Sequence, residues 1–374
     1  MATIGRALVL LSALALAGCP QRNTPRVIWV GHVAPLSGPD RASGEHARQA
    51  ILLAVEEANR DGQRVHGRRV AVVHADDRGD AEAAHAEAVR LITVNKVAAL
   101  LGGIDPAEAE RIVRAGQPYG LPVVTLSALP TPTGNDDAVA LVPAPAYRGR
   151  ILGQFVVQEL KPARVVVIAD GRSPLFTDLA IAFAREFPRD KVEEWTYQQE
   201  AELSDLAKRL SRAGPQAVLI VAPPRDFLRL STLVREGGLK TAWLYGGPEG
   251  GLPLLQADRE AGRGTFLAVT YLADVATPAN QEFVKKYRDR YQEPPETAAA
   301  LAYDGARLLF DVMRRVRTLD AAEVRRELGR TEKFDSLTGP LSFGKDLHAV
   351  RTLYVARLED GQVKLVKPYE PEKK

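Results

Sequence analysis

The sequence predicts an α/β fold of two lobes, each built on a mostly parallel sheet. From Arg26 onward, short continuous apolar runs alternate with amphipathic stretches. Such runs are typical of parallel strands that crossover helices cover on both faces. The alternation forms two successive series, and the 374-residue chain is too long for one ordinary core. We therefore expect each series to form a lobe of its own.

The first series supplies the elements of one lobe. Apolar runs predict strands at 27–33, 69–74, 97–101 and 122–126. Helical periodicity predicts helices at 44–59 and 107–119, and a third helix that Asp80 caps and that ends near residue 93. Strand and helix alternate throughout, so the loops after the strands gather at one edge of the sheet.

The second series begins after Pro143 with a helix at 147–159. Its strands are expected at 164–169, 192–195, 217–221 and 242–245, separated by helices at 175–187, 203–213 and 226–236. Helices at 278–291, 297–316 and 321–328 then precede strands at 341–343, 352–358 and 363–366, with a hairpin turn at Asp360 and Gly361. These last elements are too few for a third domain, so we expect the chain to cross again between the lobes.

The amino terminus has the layout of a bacterial lipoprotein signal. Residues 16–19 form a lipobox that ends in Cys19, the only cysteine, after an apolar run preceded by one charged residue, Arg6. We expect residues 1–18 to be a signal peptide, Cys19 to carry the lipid, and residues 19–25 to form a membrane tether. The alternative is an ordinary signal with a chance cysteine. Lipidation would leave no thiol for a disulfide.

Composition and motifs exclude several classes of function. The net charge of +3 comes from 50 basic and 47 acidic residues spread along the chain, without the basic stripe typical of nucleic-acid binding. Six histidines lack metal-ligand spacing, and we find no nucleophile elbow, Walker sequence or strand-linked G-x-G-x-x-G. We expect no enzyme activity, no cofactor, no metal and no nucleic-acid partner.

Several short motifs resemble type I periplasmic binding proteins, and most closely the branch that takes up branched-chain and related amino acids. They occur in order along essentially the whole mature chain. They include APLSGP at 34–39, AVEEAN at 54–59, DDRGD at 76–80, GGPEG at 246–250, AYDGA at 302–306 and LTGPLSF at 337–343.

The resemblance implies a two-lobed receptor with a hinge of crossing segments. Lobe 1 would comprise 26–145 plus 275–335, lobe 2 would comprise 146–274 plus 336–368, and 369–374 would be a tail. The lobes would close on a small amino acid or analogue, and ABC permease subunits would recognise the closed form. We expect a monomer at the cell envelope, anchored to the membrane through Cys19 and facing the periplasm or exterior.

The resemblance also assigns the ligand-binding positions. Glu249 matches the acidic residue that pairs with the ammonium group of an amino-acid ligand. A hydroxyl residue expected after the third strand is replaced by Pro106, which has neither a hydroxyl nor an N–H. Its neighbour Asp105 either faces the ligand or, as we favour, caps the next helix with Pro106 in its first position.

The remaining positions depart from the family pattern. After the fourth strand stand Ser127, Ala128 and Leu129, of which the Ser127 hydroxyl and the backbone N–H of Leu129 could bind an anion. The aromatic walls of relatives correspond to Ser43, Leu175 and Pro223, with Phe176 beside Leu175. These departures leave open a neutral or amine-bearing solute without a free carboxylate.

A second class of function stays open. The chain could use this fold as a sensor or protein-binding lipoprotein that regulates an envelope partner. Loss of the pocket aromatics and of the hydroxyl at Pro106 motivates this alternative.

Overall fold

A computed structural model describes residues 27–60, 62–130 and 138–371, so the lipobox and Cys19 lie outside the described residues. The first lobe is built on a five-stranded sheet in the order β2-β1-β3-β4-β5, and every pair is parallel. Its strands are β1 (Ile28–Ala34), β2 (Val70–Asp76), β3 (Leu100–Gly102), β4 (Val123–Thr125) and β5 (Ala138–Ala140).

Helices cover both faces of this sheet. They are α1 (Arg41–Ala58), α2 (Ala81–Thr93) and α3 (Pro106–Gly116). Apolar residues of α1 pack on one face with Ile28 and Val30, whereas those of α2 and α3 pack on the other face with Val33. The predicted cap is present, because the Asp80 carboxylate accepts the N–H of Ala83 at 2.7 Å.

The second lobe is built on a seven-stranded sheet in the order β15-β14-β10-β9-β8-β6-β7. Its parallel strands are β6 (Val165–Asp170), β7 (Val192–Tyr197), β8 (Ala217–Val221), β9 (Ala242–Tyr245) and β10 (Phe266–Val269). Two antiparallel strands, β14 (Leu353–Glu359) and β15 (Gln362–Tyr369), complete one side. The helices are α4 (Pro145–Phe155), α5 (Pro174–Ala184), α6 (Leu203–Ala213), α7 (Pro224–Glu236) and α8 (Leu252–Ala257).

The chain crosses between the lobes three times. After β10 it returns to the first lobe as α9 (Pro278–Tyr291), α10 (Thr297–Arg315) and α11 (Ala321–Gly329). A small antiparallel sheet follows, made of β11 (Phe334–Ser336), β12 (Gly339–Phe343) and β13 (Ala349–Val350). Leu341 and Ala349 pack with the first lobe. This packing places β12 and β13 on that side, whereas the resemblance assigned them to the second lobe.

A buried ion pair, here called the hinge pair, lies where the crossing segments meet. Arg351 Nη2 lies 3.5 Å from Asp304 Oδ2, and both side chains are almost fully buried. Arg351 also donates to Thr338 Oγ1 at 2.6 Å and to the Leu141 carbonyl at 3.4 Å, while Asp304 accepts the N–H of Leu337 at 3.0 Å. The hinge pair therefore connects α10, which carries Asp304, to the segments at Leu141, at 337–338 and at Arg351.

The α/β class and the two mostly parallel sheets agree with the sequence prediction. The strand predicted at 97–101 is displaced to Leu100–Gly102, and the helix predicted at 147–159 is α-helical only to Phe155 before a π-helical turn. Pattern reading missed the strands β5, β10, β11 and β13 and the helix α8. The strands have two to four residues and the helix has six, so their periodicity is weak.

Candidate functional site

A small cavity lies between the two lobes. Loops after β4 and β9 line it, together with the first turns of α3, α4, α5 and α10. This is the expected place for a ligand, since open α/β sheets bind solutes beyond the carboxyl ends of their strands. About 40 Å³ is open to the centres of water molecules, enough for roughly three waters at about 10–15 Å³ each.

A wider hollow adjoins the cavity. It has a volume of about 320 Å³ and shares Glu249, Gly250, Thr297 and Ala298 with the cavity. Arg288 lines its outer part and is exposed. The hollow therefore continues the cleft from Glu249 toward solvent.

Glu249 is the predicted site residue that the structure places most clearly in the cavity. Its side chain is buried, and Oε2 accepts both the N–H and the hydroxyl of Thr270, each at 2.9 Å. Oε1 is also buried and has no hydrogen-bond partner within the described residues. Buried carboxylate oxygens normally accept hydrogen bonds, so Oε1 is suited to a donor from a ligand.

The loop that carries Glu249 is held close to the sheet. A Cβ atom added at Gly247 would lie 2.2 Å from the carbonyl oxygen of Ala222. Only glycine permits this approach, and it fixes the path of the backbone two residues before Glu249. The glycine-rich stretch at 246–250 thus positions the acidic side chain.

Arg148 is a cavity-lining residue that sequence reasoning missed. Its guanidinium is buried, and Nη2 donates to the carbonyl oxygens of Gly247 at 3.2 Å and Ala268 at 3.1 Å. Arg148, Ile151, Leu152 and Phe155 have the i, i+3, i+4, i+7 spacing of one helix face, and all are buried. A charged residue on an apolar helix face was the available signal.

Six of the predicted ligand-binding residues line the cavity: Pro106, Ser127, Ala128, Leu175, Phe176 and Glu249. Three others, Asp105, Leu129 and Pro223, do not line it. Among the aromatic-wall positions, Leu175 is buried and Phe176 half-buried, and Ser43 lies at the adjoining hollow.

Asp105 caps α3, which confirms the favoured interpretation of this residue. Its carboxylate accepts the N–H of Ala107 at 2.8 Å, and Glu108 Oε2 accepts the N–H of Asp105 at 3.3 Å. Pro106 occupies the first helical position, as predicted. Burial raises the pKa of Asp105.

Leu129 is held by a histidine far away in the sequence. His348 Nε2 lies 3.2 Å from the backbone nitrogen of Leu129 and 3.0 Å from its carbonyl oxygen, so either tautomer engages this loop. The N–H of Leu129 is therefore not directed at a ligand, and β12 and β13 brace the loop through His348. Local sequence contains no signal of this contact between residues 219 positions apart.

An acidic cluster lies beside α3 and outside the cavity lining. Burial, followed by the charges of Asp77 and Asp105, raises the pKa of Glu108 to about 8. Burial also raises the pKa of Asp77 to about 6. Across residues 27–60, 62–130 and 138–371, no group of three or more His, Cys, Asp or Glu side chains is arranged to hold a metal ion.

Comparison with known proteins identifies the family. The family model described as "Periplasmic binding protein" matches residues 27–362. The chain belongs to the periplasmic binding protein family. It is 27% identical over 351 residues to Leu/Ile/Val-binding protein homolog 7 of Brucella melitensis, covering 87% of this chain and 86% of that protein.

Solved structures show the same fold. A leucine binding protein, LivK, from Thermotoga maritima has a TM-score of 0.81 at 22% identity, covering 92% of this chain and 99% of its own. LivJ from Streptococcus pneumoniae, in complex with isoleucine, has a TM-score of 0.78 at 23% identity, covering 92% of this chain and 100% of its own. Both likenesses support the two-lobed type I periplasmic binding protein fold that the resemblance implied.

Membership in this family settles the broad class of the chain. It is a solute-binding protein. The prediction that it is not an enzyme is confirmed, because the family and the Brucella melitensis relative are binding proteins. Periplasmic binding proteins work outside the cytoplasm. None of the helices within the described ranges is both long and apolar enough to cross a membrane.

Proposed function

We propose that this protein binds an amino acid, or a related small amine-bearing solute, in the cavity between its lobes and presents it to an ABC permease. The observation that carries this proposal is Glu249. One carboxylate oxygen is anchored by Thr270 and the other lies in the cavity region without a partner among the described residues. An ammonium group supplies three donors and a compensating charge.

Ligand binding is coupled to a change in the cleft. The cavity of about 40 Å³ holds only a few waters, which is less than an amino acid such as leucine needs. In our proposal the lobes separate around the crossing segments so that the cavity, and not only the adjoining hollow of about 320 Å³, takes up the solute. A solute that contacts both walls favours one arrangement of the lobes by its differential affinity, and a permease distinguishes that arrangement.

The proposed setting is the cell envelope. Residues 1–18 would be removed as a signal peptide, and Cys19 would carry a lipid that holds the protein near its permease through residues 19–25. A tether of this kind raises the effective concentration of the receptor at the membrane. Incorporation of labelled fatty acid into the wild-type protein, and its loss in Cys19→Ser, is the expected result. Equal labelling of both would contradict the assignment.

The division into lobes and the oligomeric state belong to the same proposal. The first lobe would be 26–145 plus 275–335, the second lobe 146–274 plus 336–368, and 369–374 a tail. The exception is β12 and β13, which lie within 336–368 but pack on the first lobe. The site is formed within one chain, and we propose that the protein acts as a monomer.

The binding proposal is tested by substitution of Glu249. Calorimetric titration of wild type with the twenty amino acids should identify a saturating ligand. Glu249→Gln should weaken its binding by about 1.5–3 kcal/mol, because a hydrogen bond to a charged group is replaced by a neutral one. Glutamine keeps an oxygen that can accept from Thr270, so the loop should stay folded.

Glu236→Gln is the matched control, since Glu236 is exposed on the same lobe. It should bind like wild type. Unchanged affinity in Glu249→Gln would contradict the proposed role. A melting temperature that no amino acid or polyamine raises would instead favour the sensor or protein-binding alternative, because a ligand of the folded state stabilises it.

A further inference from the structure

We infer that Arg148 binds the carboxylate of the ligand, so that the solute is a zwitterion held between Arg148 and Glu249. The inference rests on the proposed function and narrows it. It selects small amino acids over simple amines and neutral solutes. It also assigns a role to a residue outside the positions that the family resemblance marks as ligand-binding.

The Arg148 guanidinium is buried and hydrogen-bonded only to neutral groups. The residue is only 7% exposed, and its two hydrogen bonds, from Nη2, go to neutral carbonyls of Gly247 and Ala268. Nε has no hydrogen-bond partner among the described residues, and Arg148 forms no ion pair within 4 Å with a carboxylate of those residues. A buried cation without an ion-pair partner is unfavourable.

The other buried arginine of the described chain, Arg351, differs from Arg148 in having an acidic partner. Arg351 has a carboxylate, Asp304, at 3.5 Å, and it also donates to the Thr338 hydroxyl. Among the described residues, a buried arginine thus has an acidic partner at the hinge but not in the cleft. The difference points to a counter-charge that the described part of the chain does not supply.

Arg148 and Glu249 place opposite charges on the lining of one cavity. Both side chains line the same cavity, and Arg148 binds the carbonyl of Gly247, two residues from Glu249. Their charges are opposite, yet they do not form an ion pair within 4 Å. An amino acid carries an ammonium and a carboxylate a few ångströms apart, so one small molecule can satisfy both side chains.

The first-lobe wall of the cavity offers few groups that can bind a carboxylate. Pro106 has no N–H to donate, and the Leu129 N–H lies against His348 rather than facing the cavity. Of the groups expected to hold a carboxylate there, the Ser127 hydroxyl still lines the cavity. Arg148 provides a planar, permanently charged donor set on the opposite wall.

The test separates recognition of the carboxylate from support of the loop. Calorimetry would compare the tightest-binding amino acid of the twenty with its methyl ester, which keeps the amine and the side chain but loses the anion. Wild type should bind the acid at least tenfold more tightly. Arg148→Gln should weaken binding of the acid tenfold or more and leave binding of the ester unchanged. Arg148→Lys should recover part of the preference for the acid, because it keeps the charge.

Binding of the ester also shows that the variants are folded. Arg212→Gln, an exposed arginine of the same lobe, should behave as wild type. Equal weakening of acid and ester in Arg148→Gln would overturn the inference and assign Arg148 a purely structural role at Gly247 and Ala268. Unchanged binding of both would overturn it as well.

The two proposals fail in different ways. If methyl esters bind wild type in a Glu249-dependent manner while the amino acids do not, the inference about Arg148 is wrong and the proposed amine site stands. If neither the acids nor the esters bind, both proposals are wrong.

Discussion

The hinge and the cleft each bury one arginine and one carboxylate, but the two pairs differ. At the hinge, Arg351 and Asp304 lie 3.5 Å apart. In the cleft, Arg148 and Glu249 line one cavity without contacting each other, and Glu249 Oε1 has no partner among the described residues. We call Arg148 and Glu249 the cleft pair.

The difference fits a structural role for the hinge pair and the ligand-binding role that we propose for the cleft pair. The hinge pair neutralises itself and joins the chain at Leu141, Leu337 and Thr338, so it supports the folded arrangement of the crossing segments. The cleft pair forms no ion pair among the described residues. In our proposal, a ligand with complementary charges pairs with both side chains.

The largest predicted effect is the loss of the hinge cation. Arg351→Met should lower the free energy of unfolding by about 3–5 kcal/mol, because it breaks a buried ion pair and leaves Asp304 with only Arg307, 3.8 Å away, as a cationic partner. Arg148→Met should cost much less, since it removes a cation that has no acidic partner within 4 Å among the described residues. Urea denaturation of both variants measures the difference.

The double variant Arg351→Met with Asp304→Asn serves as the control for the hinge pair. It should recover part of the lost stability, because the buried carboxylate that lost its buried cation is gone. Equal costs for Arg351→Met and Arg148→Met would show that the two regions do not differ as we describe.

The fold was predictable because its strands are apolar runs long enough to recognise. The strands β1, β6 and β8 are buried along almost their whole length, and each matched a predicted run within one or two residues. The strands that were missed have two to four residues, too few to show a period.

The candidate site was predictable only in part. Glu249 was found because a local motif carries it, and the Asp105 cap was found because helix caps are local. The bracing of Leu129 by His348 depends on a long-range contact. Arg148 was missed although it shares a helix face with Ile151 and Leu152, because none of the motifs that carry the family resemblance includes it.

The acidic cluster beside α3 extends the comparison to Glu108, a buried carboxylate with no ion pair within 4 Å among the described residues. Burial and the charges of Asp77 and Asp105 raise the pKa of Glu108 from an ordinary value of 4.5 to about 8. The folded chain therefore keeps a proton that the unfolded chain releases across this window. Stability from this group is present below pH 4.5 and is lost as the pH rises toward 8.

Glu108→Gln should remove this loss of stability. Relative to wild type, the variant should gain free energy of unfolding between pH 5 and pH 8, up to about 1.4 kcal/mol for each unit by which the pKa is raised. Glutamine still accepts from the N–H of Asp105, so the cap is kept. Urea denaturation at several pH values, with Glu236→Gln as the exposed control, measures the effect. A constant difference across this range would contradict the assignment.

The smallest predicted effect concerns the first-lobe wall of the cleft. The Ser127 hydroxyl lines the cavity and is the polar group we expect this wall to offer a ligand, whereas the second lobe offers two charges. Ser127→Ala should therefore weaken amino-acid binding by only about 0.5–1.5 kcal/mol, as for one neutral hydrogen bond. Ser204→Ala, outside the cavity, is the matched control in calorimetry.

A loss for Ser127→Ala as large as that for Glu249→Gln would contradict the division of roles between the two walls. It would mean that the first lobe still binds the carboxylate despite Pro106 and Leu129. A small loss would instead support charge recognition from the second lobe, with the first lobe contributing mainly apolar contact through Leu126 and Ala128. In that arrangement, the first lobe can close over the solute without having to align several hydrogen bonds.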